Sequence, residues 1–85
     1  MSVTFYTPNS EAEGVNMHNA GAGHVLAVLG YDTEFLCGSA VAVEFGRRLL
    51  DAAMDCNGTD LGERLLRLAP VVAEAASRNE DIQWA

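Results

Sequence analysis

His18, His24, Cys37 and Cys56 are the residues of this 85-residue chain whose types are best suited to metal binding or nucleophilic chemistry. Structural zinc sites bring their ligands in close pairs, because a short loop between two ligands is cheap to order. Here the four candidates are scattered at spacings of six, thirteen and nineteen residues. A cysteine nucleophile needs a histidine base beside it, a third group to orient that base, and a pocket for the substrate. A small helical domain has little volume for such a pocket. The cysteines therefore read as small buried hydrophobes and the histidines as surface or capping groups. No catalytic residue, metal ligand or cofactor is expected. A small metal-dependent or Cys/His-dependent enzyme stands as the alternative class.

Gly21 and Gly23 resemble the start of a dinucleotide-binding turn, in which glycines let backbone amides meet a pyrophosphate. The third glycine position holds Leu26, and Asn16-Met17-His18-Asn19-Ala20 precedes the pair instead of a buried strand. Close backbone approach to a neighbour is the better reading of these two residues. Arg64 and Arg67 share a helix face and Arg47 and Arg48 are available, the residue type that a DNA-reading helix aims at phosphates and bases. Twelve acids oppose those four and the one further arginine, and the net charge is −7. That field repels a phosphate backbone and attracts a basic protein. It also keeps a small protein soluble.

The acid excess is concentrated. Glu11, Glu13, Asp32, Glu34 and Glu44 precede the first base, Arg47, and lysine is absent throughout. This first half is the candidate contact surface for a protein with a basic surface. Met17, Tyr31 and Phe35 would be its apolar anchors if exposed. With Asp51, the same carboxylates are candidates for mimicking a nucleic acid in a basic groove.

The elements that must position these groups are short. Val3–Thr7 is β-branched and aromatic and stops at Pro8, as a strand does. Asn16 or Asn19 would cap a first helix carrying Ala22, Val25, Leu26 and Leu29 on one stripe, closed by Gly30. Tyr31–Gly38 is a connector, with Phe35 and Leu36 tucked inward. Ser39 would cap a second helix that buries Ala42, Phe45, Leu49, Ala53 and Cys56 and stops at Asn57-Gly58. Thr59 or Asp60 starts a third, with Leu61, Leu65, Leu68, Val72 and Ala76 at helical spacing. Pro70 should kink or restart it, since proline lacks the N–H that helix interiors use. Glu44–Arg48, Glu63–Arg67 and Glu74–Arg78 are i, i+4 pairs. Ile82–Ala85 alternates as a strand, and two isolated strands gain most by pairing with each other.

Asn16–Ala22, followed by Val25–Gly30, resembles the opening of a group of short uncharacterised proteins of phages and bacteria, actinobacteria especially. Their openings share an Asn-x-x-Asn-small-x-small run leading to Leu-Gly. Leu61–Leu68, Ala75-Ala76 and Ile82–Ala85 are similar to their ends, so the likeness covers about two thirds of the chain. It implies a phage or mobile-element accessory protein that binds and inhibits a host component, and it carries no catalytic residues.

The expectation is thus one domain over residues 1–85, mainly α, with about three helices in a compact bundle and a β-pair made by the two termini. The expected function is non-catalytic protein contact, with a homodimer as a further option. Without a long apolar segment or a basic leader, the expected location is cytoplasmic.

Overall fold

Val3 and Phe5 alternate with Ser2, Thr4 and Tyr6, the period-two pattern of a strand with one dry face. They form β1 (Ser2–Tyr6). The computed structural model describes residues 2–8 and 14–85. Along them follow β2 (Val15–His18), α1 (Asn19–Leu29), β3 (Gly38–Val41), α2 (Ala42–Asp55), α3 (Asp60–Leu66), α4 (Ala69–Arg78) and β4 (Asp81–Trp84).

The strands make one antiparallel sheet in the order β2-β1-β4-β3. The terminal strands do pair, Phe5 opposite Trp84, but they are the two central strands of four. The chain is therefore an α+β fold with helices packed on a sheet, and the expectation of a mainly helical bundle fails. Register explains the division of faces. Val3, Met17, Phe5 and Trp84 stand opposite one another in pairs and are buried. The alternate residues Ser2, Thr4 and Asn16 form a polar network on the other face, where Asn16 Nδ2 donates to Ser2 Oγ at 3.0 Å and to Thr4 Oγ1 at 2.9 Å.

Two segments read as helix starts are strands. Asn16 lies in β2, and α1 begins at Asn19 after His18, with no side-chain cap. Ser39 lies in β3, and α2 begins only at Ala42. Other helix signals hold. Gly30, at φ 85°, ends α1 in the left-handed conformation. Thr59 Oγ1 accepts from the Gly62 amide at 3.0 Å and caps α3. Pro70 sits in the first turn of α4, where its missing N–H is harmless. The restart rephases the apolar stripe, so Val71 and Ala75 are buried in place of Val72 and Ala76.

One core joins the layers. Phe5, Phe45 and Trp84 are buried and meet at ring distances of 5.9 to 6.5 Å. Tyr31 stacks on Phe45 at 5.6 Å and leans on Trp84 at 5.3 Å. Such pairs add about 0.5–1.5 kcal/mol each beyond the area they bury.

Candidate functional site

The anticipated contact residues do not form one surface. Glu11 and Glu13 lie outside the described residues. Met17 is buried beneath β2 and cannot anchor a partner. Tyr31 is half-buried, packed under the Arg48 guanidinium, which sits 4.8 Å from the ring centre. Burial raises the Tyr31 pKa against the opposing pull of Arg48. Glu44 is engaged on its own helix, accepting from Arg47 at 2.5 Å and Arg48 at 3.0 Å. Those hydrogen bonds hold its carboxyl below the usual glutamate range.

Asp32, Glu34 and Phe35 remain in the open connector. Phe35 is 68% exposed, so it does not tuck inward as its type predicts, whereas Leu36 packs on the core. Asp32 Oδ1 accepts from the Glu34 amide at 2.9 Å, an Asx-type turn that shapes this loop.

Of the residues suited to chemistry, His18 and His24 are exposed on β2 and α1. Cys37 is exposed and Cys56 half-buried, and both are free thiols. Among the described residues, no three or more His, Cys, Asp or Glu side chains come together as a metal site would require.

The surface that does stand out lies on α2, α3 and α4. Leu49 and Leu65 are buried, and their sequence neighbours Leu50 and Leu66 are 62% and 59% exposed. Successive helical residues point about 100° apart, so a helix that buries the first leucine of a pair turns the second outward. Val43 and Met54, at 74% and 70% exposure, continue the stripe along α2. Leu50 and Leu66 line a hollow of about 240 Å³ between α2, α3 and α4. Its floor is small or flat: Gly46 and Ala53 on α2, Ala69, Val72 and Ala73 on α4. A second hollow, lined by Leu50, Ala53, Met54, Asn57 and Leu66, continues it toward the α2–α3 turn.

No charged side chain lines either hollow, although one residue in five of this chain is charged. The arrangement has nothing to polarise a bond or carry a proton. It has what an apolar contact needs, namely knobs, a hollow and no ion to desolvate. The paired leucines Leu49-Leu50 and Leu65-Leu66 were the signal for it in the sequence, since each pair must leave one member outside.

On the other flank of α2, Val28, Leu29 and Ala52 together with Arg48, Asp51 and Asp55 line a hollow of mixed character between α2 and α1. Within the described residues, no helix is long and apolar enough to cross a membrane.

No family model, curated protein or solved structure matches this chain.

Proposed function

We propose that the chain is a non-catalytic interaction protein whose contact surface is the uncharged face of α2, α3 and α4. One observation carries this reading. Four large apolar side chains, each more than half exposed, stand on α2 and α3, and three of them, Leu50, Met54 and Leu66, line two adjoining hollows that no charged side chain enters. At roughly 100 Å² for a side chain of this size, they and the alanines between them leave on the order of 400 Å² of apolar surface, the scale of patches that serve binding. Val43, Leu50, Met54 and Leu66 are neither in the core nor packed against it, so leaving them in water has no structural return.

A second surface is favoured by a separate observation. Phe35 stands 68% exposed between Asp32, Glu34 and Cys37 in the connector. An exposed ring flanked by carboxylates suits a partner with basic and apolar groups together. The likeness to small phage and actinobacterial proteins makes blocking of a host protein the natural use of such contacts. A nucleic-acid mimic has less support, because the Glu44 carboxylate is occupied by two arginines.

The test is site-specific photo-crosslinking in cells. A benzophenone side chain at position 54 should give protein adducts well above the yield from position 16 on the polar sheet face. Equal yields, or none from position 54, would overturn the assignment of this face.

A further inference from the structure

We infer that the occupant of the uncharged helical face is a second copy of this chain, docked two-fold with the α2 helices antiparallel. The inference rests on the reading of that face as a contact surface. Its first support is where the charges are. The patch is neutral while the molecule carries −7, so nothing on it selects a basic partner. A neutral apolar surface is matched by another of the same kind, and a second copy supplies one of identical extent.

The second support is the pattern along α2. Two-fold contacts are isologous, so a patch must complement itself. For antiparallel helices crossing at Leu50, residues equally far before and after it come level. Met54, a knob 70% exposed, comes level with Gly46 of the second copy, which lines the hollow. Arg47, which also donates to Glu44 at 2.5 Å on its own helix, and Asp51 lie together on one flank of the stripe, both exposed. In the antiparallel pair, Arg47 of each copy falls within about 3 Å along the axis of Asp51 of the other, at 1.5 Å per residue. Two symmetric Arg47–Asp51 pairs can then close that rim. A parallel two-fold would instead set Met54 level with Met54 and Arg47 level with Arg47.

On the other rim, Ala69 and Ala73 of α4 are small enough to let the helices approach closely. Doubled across the axis and with its rims, the patch removes on the order of 1,000 Å² from water, the size at which specific interfaces begin. Tyr31, at the start of the connector, meets α2 at Arg48, which lines neither hollow.

Sedimentation equilibrium of the purified full chain tests the inference. The expected mass is twice the 9.1 kDa of one chain. Leu50→Glu should return it to a single chain with its circular dichroism unchanged. Arg47→Asp and Asp51→Arg should each weaken association about tenfold, and the double variant Arg47→Asp/Asp51→Arg should restore it. The double variant keeps the test meaningful even if Leu50→Glu fails to fold. A single-chain mass at concentrations up to about 1 mM, the weak end of specific association, would overturn the inference. So would failure of the double variant to recover. Adducts from position 54 to other proteins, with a single-chain mass, would sink the second copy and leave the contact surface standing. No adducts together with a single-chain mass would sink both.

Discussion

Arg48 clamps Tyr31 to α2. Its guanidinium lies 4.8 Å from the centre of the Tyr31 ring, while Nη1 donates to the Leu29 carbonyl at 3.0 Å and Nε to Glu44 at 3.0 Å. A single side chain thus satisfies the end of α1, covers the start of the connector and ties both to the second helix.

Replacing Arg48 by lysine should show how much this geometry matters. Lysine keeps the charge but not the planar fork that stacks and donates in two directions. We expect a loss of about 1–2 kcal/mol, the sum of a modest cation–π contact and one exchanged hydrogen bond. Urea denaturation of the two proteins measures it, with the slope of the transition unchanged.

Tyr31→Phe should be neutral or stabilising. The Tyr31 hydroxyl is a buried polar atom with no hydrogen-bond partner among the described residues, and removing such a group relieves a desolvation cost of about 1–3 kcal/mol. The pH dependence gives a second readout. The Tyr31 pKa is raised in the folded protein, so the associated stability is complete below the unfolded value, about 10, and is lost as pH rises through the folded one. Melting curves at alkaline pH should decline less for the phenylalanine variant.

Glu44 acts on the acid side. Its pKa is lowered by the two arginines, so its contribution is complete above the ordinary glutamate value of about 4.3 and disappears as pH falls through the lower folded value. Glu44→Gln should therefore flatten the acid limb of the stability profile. Its effect should vanish at the most acidic end, where the native carboxyl is protonated as well. Thermal melts across that range check the sign.

Two glycines should respond to alanine in opposite directions. At Gly23 an added methyl would meet only the Leu36 side chain at 3.8 Å, ordinary contact. Gly21 is equally open, with the Arg64 side chain at 3.6 Å, so close backbone approach does not account for either residue. Gly23→Ala should gain up to about 1 kcal/mol of helix stability. At Gly62 the methyl would fall 2.3 Å from the Cys56 carbonyl oxygen, and backbone cannot step aside. Gly62→Ala should destabilise by about 2 kcal/mol or more despite the better helix propensity of alanine. Thermal denaturation of both variants decides it.

The helices were legible because their causes are local. Apolar spacing, the Thr59 cap, the Gly30 stop and the Pro70 restart each act within a few residues. So, in retrospect, was the outward-facing stripe, since Leu49-Leu50 and Leu65-Leu66 cannot both be buried on one helix face. The sheet was not legible beyond its two termini. Val15–His18 and Gly38–Val41 are four residues each, and nothing inside them compels a strand. Asn16, Asn19 and Ser39 even offer helix caps. These segments become strands because β1 and β4 present open edges to them, and β4 lies some forty residues beyond β3 in the chain. Backbone hydrogen bonds to a distant partner outweigh local preference there. Burial was decided in the same way. Met17 is covered because its strand pairs with β1, opposite Val3, while Phe35, in a connector outside the sheet and helices, is left in water.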